Sequence, residues 1–309
     1  MAERLLIFPY HHPSDLEIIA DLLPRCRNSK TIFDQPTALG IKDLLAKPVV
    51  QKRTRIWTTH EGLPVGYMLV DDNNQLVFDF LKGFLNSILE DQIIKQAGEF
   101  LNENLQILEE TRLTATARED DEQRIAMFMR GGFQQQPEEY LQYEKDITKA
   151  PDETPVPDGF SLRQFKAETD LADLIALHNT AFKPDSMTNE IRKSITDSPI
   201  YDPVLDLVVV SADGQLSGYS ISSIDKVSNQ LAGKLEGSID TIAVHPDHQK
   251  KGLAICLIER SLKIFKLYGM HKANLNTSNE YTAMQKAAEK AGFKLAGKRL
   301  IFSKKIHKS

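Results

Sequence analysis

The chain is short of the residues that mark several common designs. It has only two cysteines, Cys26 and Cys256, neither in a C-x-x-C pair, so neither a disulfide scaffold nor a thiolate metal site is expected. His11 and His12 lack further ligands at metal spacing. No apolar run approaches the ~20 residues needed to cross a bilayer. Basic residues are not in excess: 38 Lys and Arg face 43 Asp and Glu, a formal net charge of −5. That balance argues against nucleic acid or an anionic membrane surface as a partner. Near the start, Glu3 stands where a secretion signal would be basic, and Pro9 interrupts the apolar stretch; a cytoplasmic location is the expectation. Neither G-x-x-x-x-G-K-[ST] nor G-x-G-x-x-G occurs, which removes the two commonest nucleotide-binding turns.

What is present points to two domains, since 309 residues exceed the roughly 100–200 of one domain. Residues 148–158 contain Pro151, Pro155 and Pro157 with Asp152, Glu153 and Asp158, a composition that holds neither a helix nor a central strand. The expected division is therefore 1–147, a linker at 148–158, and 159–309. The halves share a pattern. Thr54–Thr58 and Leu63–Val70 form a hairpin in the first, and Leu205–Val210 and Gln215–Ile221 in the second, turning at Asp213-Gly214. Thr116 with Glu119, and Thr277 with Glu280, read as capping boxes opening helices that end at Gly132-Phe133 and Gly292-Phe293. The shared order of hairpin, long helix, strand, capped helix and Gly-Phe marks an internal duplication, and strands mixed with helices give an α/β (mixed α+β) class in each half. The second long helix carries an apolar stripe of Ala254, Leu257, Ile258, Ser261, Leu262 and Phe265. Glu259, Arg260 and Lys263 are expected opposite, with Cys256 on the polar side.

The chemistry concentrates between Ser238 and Ala254. A β-branched strand ends at His245-Pro246; Gln249, Lys250, Lys251 and Gly252 follow, and then the long helix starts. A strand leading through a glycine turn into a helix presents free N–H groups and the positive end of the helix dipole, a setting for phosphate. By itself such a loop reads better as a solvated turn with two surface lysines.

The run Val244-His245-Pro246-Asp247-His248-Gln249-Lys250-Lys251-Gly252-Leu253-Ala254 resembles the acyl-CoA pyrophosphate motif of the GNAT superfamily of N-acetyltransferases. Asn279, Met284 and Gly292-Phe293 resemble its second block, and Gly218-Tyr219 its central strands. Chains with two such halves, mycothiol synthase among them, share this plan. The resemblance implies two tandem GNAT folds, each a mixed, mostly antiparallel sheet flanked by helices, with acetyl-CoA as co-substrate and no metal. Gln249, Lys250, Lys251, Gly252, Leu253 and Ala254 would then wrap the diphosphate. The main chain of Ile242, Ala243 and Val244 would pair with the pantetheine arm, the Val244 N–H would polarise the thioester carbonyl, and Asn279 would contact the cofactor.

An amine near its reference pKa of ~10 is mostly protonated at neutral pH, so a base is needed. Asp240 and Glu236 are the candidates; a strand-edge cap is the plain alternative for Asp240. Where many members of the superfamily carry a tyrosine that protonates the leaving thiolate, this chain has Ala288; Tyr281 and Tyr268 do not fit the pattern. A polar, acidic acceptor side is expected near Phe182–Asp202, through Pro184, Asp185, Glu190, Asp197, Tyr201 and Asp202. In the first half the corresponding run, Leu76 to Asn86, has one lysine and one glycine among apolar residues, so no CoA binding is expected there. The activity expected is acetyl transfer to a primary amine of a small molecule by direct attack in a ternary complex. The alternatives are a non-catalytic CoA-binding module and an enzyme acting on a protein N-terminus.

Overall fold

The computed structural model describes residues 5–28, 31, 34, 36–102, 110–149, 154–182 and 187–307. The chain first forms β1 (Leu6–Pro9), α1 (Leu16–Cys26), α2 (Ala38–Leu45), α3 (Pro48–Lys52), β2 (Thr54–Thr58), β3 (Pro64–Val70) and β4 (Gln75–Phe80). Then come α4 (Ser87–Asn102), β5 (Glu110–Arg118), α5 (Glu122–Arg130) and β6 (Gln134–Asp146). After them follow β7 (Phe160–Gln164), α6 (Ala167–Ala181), α7 (Asn189–Thr196), β8 (Asp206–Ser211), β9 (Leu216–Ser223) and α8 (Lys226–Ala232). The last elements are β10 (Glu236–Val244), α9 (Leu253–Leu267), β11 (Lys272–Ser278), α10 (Thr282–Lys290) and β12 (Lys294–His307).

These elements form two compact units, which are not the two sequence halves. The first comprises Met1–Glu139, Gln230–Gly233 and Lys298–Ser309; the second comprises Tyr140–Asn229 and Lys234–Gly297. The first unit has strand order β1-β2-β3-β4-β5-β12, and the second β6-β11-β10-β9-β8-β7. In each, one neighbouring pair is parallel, β4 with β5 and β10 with β11. The long last strand leaves its own half: Arg299 to His307 pair antiparallel with Arg118 to Glu110 of β5. In return, Tyr140 to Asp146 of β6 pair with Ser278 to Lys272 of β11.

The division drawn from the prolines differs from this one because strand pairing, not local composition, decides which residues pack together. Residues 150–153 of the expected linker lie outside the described residues. Its later part is bound to the second unit. The Thr154 N–H donates to Glu259 Oε2 at 2.7 Å, and Cys256 Sγ lies 3.7 Å from the Pro155 carbonyl oxygen.

Period-two alternation builds a core on each face of both sheets. In β3, Met68 and Val70 pack towards α4 and α5, while Tyr67 and Leu69 pack towards α1 and α2. In β8, Leu207 and Val209 face α9 and α10, and Val208 faces α6. Gly237 in β10 is forced by packing, since a Cβ there would stand 2.7 Å from the Phe265 ring.

Three local expectations are corrected. Thr116 and Thr277 do not open helices: they lie within β5 and β11, and the helices start at Glu122 and Thr282. The cap of α5 is Asp121, whose carboxylate accepts the Arg124 N–H at 3.0 Å. Glu259 is buried on α9 because its carboxylate receives Thr154, and Cys256 is buried beneath the same segment rather than on a polar face. The glycine ends do occur, with Gly132 at φ 81° and Gly292 at φ 83° directly after the helices.

Candidate active site

The site is built around a strand that loses one neighbour halfway along. β10 pairs in parallel with β11 only from Glu236↔Lys272 to Ile239↔Leu275, yet continues to Val244. On its other side it stays paired with β9 through Val244↔Gly218, with a bulge between Ile239 and Thr241. Asp240 is the extra residue of that bulge. His245 N–H donates to Ser217 O at 2.9 Å, which sets the phase of the antiparallel ladder. By alternation, the Ala243 N–H faces β9, and those of Ile242 and Val244 face the edge that β11 has left.

That edge runs into the turn before α9. Pro246–His248 form a 3-10 turn, Lys250 takes φ 63°, and Gly252 takes φ 85° as the N-cap residue. Gly252 is needed for that left-handed backbone, and a Cβ there would meet nothing but open space. No side chain caps α9, and its first turn holds no acid. The first helical bond is Cys256 N–H to Gly252 O at 3.2 Å, so the N–H groups of Leu253 to Ile255 have no acceptor within the helix. The Gln249 side chain turns back to the Val244 carbonyl at 3.4 Å, Lys250 is exposed, and Lys251 Nζ lies 5.5 Å from the Phe160 ring. Leu253 is buried and Ala254 half-buried, which anchors the turn to the core. These residues fit a diphosphate: free amides, a dipole end, two lysines, and room at Gly252.

Asn279 follows the end of β11, and its carbonyl accepts from Gln285 Nε2 at 2.9 Å. Glu236 lies at the far end of β10, buried and bonded by Asn274 Nδ2 at 2.8 Å. Lys234 stands 3.3 Å away and Lys272 3.8 Å. Asp240 differs: it is open to solvent on one side while protein atoms crowd the rest. That crowding pushes its carboxyl up to about 6, against the opposing pull of hydrogen bonds with Ser223 and Ser238. Ser238 stands out in the sequence as a neighbour able to orient a water, whereas the Ser223 hydroxyl and the bulge itself do not. The serine-rich run Ser220, Ser222 and Ser223 was the available signal.

The acidic acceptor side is largely committed to internal contacts. Pro184 and Asp185 lie outside the described residues. Asp197 pairs with Lys193 at 2.6 Å, and Asp202 accepts the Val204 N–H at 2.9 Å. Tyr201 donates to Asp206 at 2.7 Å, and Asp206 is buried against Arg192. Glu190 is exposed in the first turn of α7. Ala288 is fully buried in the core of the second unit, whereas Tyr281 and Tyr268 are exposed.

This arrangement has known counterparts. Residues 171–293 match the profile of the Acetyltransferase (GNAT) family. A GCN5-related N-acetyltransferase from Sphaerobacter thermophilus superposes with a TM-score of 0.76 at 17% identity, over 98% of this chain and 96% of that one. A tandem GNAT protein from the clavulanic acid biosynthesis pathway gives 0.74 at 15% identity, over 99% and 100%. An N-myristoyltransferase from Saccharomyces cerevisiae gives 0.60 at 14%, over 97% and 79%. The search of curated protein sequences finds no match. The fold across the chain is thus the one these acetyltransferases share, and residues 171–293 are similar to the Acetyltransferase (GNAT) family. No described helix is long and apolar enough to cross a membrane, and no group of three or more potential metal ligands occurs among the described residues.

Proposed function

We propose that the second unit transfers the acetyl group of acetyl-CoA to a primary amine of a small molecule, both substrates being bound together. The observation that carries this reading is the free edge of β10 beyond Ile239 leading into an uncapped α9 behind Gly252. The amides and side chains from Gln249 to Ala254 hold the diphosphate. The pantetheine arm enters from that end and lies along Val244, Ala243 and Ile242 as an added strand. Val244 is nearer the phosphates, so its N–H serves the arm. The Ile242 N–H, rather than that of Val244, then polarises the thioester carbonyl. Asn279 borders the arm from the β11 side.

Asp240 is two residues from Ile242, about 7 Å along the strand, which suits proton transfer through one water. The amine lone pair attacks the thioester carbon, Asp240 receives the ammonium proton, and the C–S bond breaks as the carbonyl reforms. CoA thiolate then takes its proton from solvent, which its modest basicity (a thiol pKa of ~8.5) allows without a tyrosine at 288. Glu236 is buried at the far end of β10, occupied by two lysines and Asn274, and Asp240 is the nearer carboxylate. The same constellation serves a cytoplasmic enzyme without a metal.

The test is thiol release from acetyl-CoA with a panel of primary amines and, separately, peptides with free N-termini. Release with a small amine, abolished by Asp240→Asn, supports the proposal. Tight CoA binding with background release for every amine favours a non-catalytic module. Release with peptides alone moves the acceptor to a protein N-terminus.

A further inference from the structure

The bulge in β10 decides which side chains meet the Asp240 carboxylate. Before it, Ser238 faces Ser223 and Ile239 faces Ser222; after it, Thr241 faces Ile221. Asp240 therefore has no opposite residue on β9. The two faces of β9 are distinct. Ser222 donates to Ser261 of α9 at 3.1 Å, whereas Tyr219 and Ile221 belong to the core beneath α6. By alternation Ser223 lies on the α6 face, and Ser238 opposite it does too. A bulge re-aims side chains, and this one leaves Asp240 beside the serine pair, with both hydroxyls hydrogen-bonded to its carboxylate.

The two serines are not equal. Ser223 is buried and stands on the neighbouring strand, so the ladder fixes its place relative to the bulge. Ser238 is half-buried and belongs to β10 itself, two residues before Asp240. The charged groups nearby are occupied elsewhere. α6 and α9 pack on β10, but His178 of α6 is bonded to Tyr219, and Glu259 of α9 receives the Thr154 N–H. Glu236, at the far end of β10, is held by Asn274, with Lys234 and Lys272 of β11 beside it. Asp225, just after β9, receives the Ser228 N–H and hydroxyl. Among the described residues none of these charges acts on Asp240: burial raises its pKa, and the two hydroxyls oppose it. An ionised carboxylate only accepts hydrogen bonds, so a donating hydroxyl favours the form that can receive a proton.

We propose that Ser223 is a positioning residue: from β9 its hydroxyl donates to the Asp240 carboxylate and holds it at the bulge, turned to take the proton of the amine. The source of that proton rests on the acetyl-transfer reading; the contact itself needs no substrate.

Two measurements on the full chain test it. An NMR titration of labelled aspartate carboxyls, with the Asp240 signal assigned by its loss in Asp240→Asn, reads the contact alone. The pH profile of kcat/KM for amine acetylation reads its use. In the wild type the Asp240 midpoint is expected at about 6. Ser223→Ala should move it up by about one pH unit, because a hydrogen bond to a charged group is lost. The rising limb of kcat/KM should move with it, while KM for acetyl-CoA stays unchanged. Ser223→Thr, which keeps the hydroxyl, should restore both. Ser222→Ala, whose lost hydroxyl serves α9, should alter neither. Should Ser223→Ala not fold, as judged by denaturation, Ser223→Cys takes its place, close in size and with only a weak S–H donor. An unmoved midpoint in the folded Ser223 variant overturns the proposal. So does an equal shift in Ser222→Ala, a Ser223→Thr that behaves like Ser223→Ala, or a rate limb that ignores a moved midpoint. If no amine is acetylated, the acetyl-transfer reading falls, and the titration alone decides whether Ser223 holds Asp240.

Discussion

The two units share one device, a parallel strand pair that separates after a few residues, and finish it in opposite ways. In the second unit the gap beside β10 leads to α9, whose amides lack a side-chain cap and whose first turn has no acid. In the first unit the gap beside β4 leads to α4, whose start is closed by its own residues. Asn86 caps it, Glu90 in its first turn is buried against Arg130, and Leu81, Phe84 and Leu85 pack into the core. The gap itself is lined by paired arginines and aspartates. The lesson is that the fold supplies an opening, and the helix N-terminus beside it decides whether a diphosphate has anything to bind. The site reading for the second unit and the silence of the first towards CoA are two sides of one proposal.

That contrast can be broken at several points. The largest expected effect is on stability: Asp79→Ala should cost about 3–5 kcal/mol by chemical denaturation, because it leaves Arg27 buried without its partner. Next, Gly252→Val should weaken CoA about 100-fold by calorimetry, through backbone strain and a side chain in the phosphate space. Gly83, in the matching turn of the first unit, also has positive φ, at 92°. Gly83→Ala should cost about 1 kcal/mol of stability and leave CoA affinity unchanged. An equal loss of affinity at both glycines would erase the asymmetry.

Asp240→Asn should lower kcat about 100-fold while the Kd for CoA stays within about twofold. Wild-type kcat/KM should rise as pH passes about 6, the value to which crowding lifts this carboxyl. The sign for stability is the reverse. The folded form binds this proton more tightly than the unfolded chain, so the contribution is full below about 4 and is lost as pH rises through about 6. Denaturation profiles of the wild type and Asp240→Asn should part between those limits, the wild type losing stability relative to the variant as pH rises. Smallest is Asn86→Ala, which removes the cap of α4 and should cost about 1 kcal/mol with no change in CoA binding.

Much of this was legible in the sequence because it depends on neighbours along the chain. Val244 to Ala254 form one strand end, one turn and one helix start, so the residues that carry the family resemblance lie together along the chain. The alternating strands, the Asp213-Gly214 turn and the glycine helix ends were visible for the same reason. What depends on pairing across the sheet was not. Nothing near Asp240 in sequence marks it as a bulge, since that requires knowing that Ile239 faces Ser222 and Thr241 faces Ile221. Glu259 and Cys256 were placed by helical period on a polar face, yet Thr154 and Pro155 return from a hundred residues away to cover them. The two capping boxes failed because a threonine three residues before a glutamate also occurs at a strand end, and pairing held Thr277 opposite Leu141.

The exchange of β12 and β6 bears on how the molecule is made. The strand that completes the first unit's sheet is encoded after residue 297, so that sheet stays incomplete during synthesis until the second unit has also been made. Cutting the gene at the proline-rich stretch near residue 150 would strip each product of a strand that its sheet needs, exposing a bare edge prone to association. Two separately expressed fragments should therefore be insoluble alone and recover as a pair. A cut after residue 139 would keep the part of β6 that pairs with β11, Tyr140–Asp146, with the second unit but still leave the first without β12. Each sheet takes a strand from the other half of the chain, so neither half can be lost without stripping the other of a strand it needs.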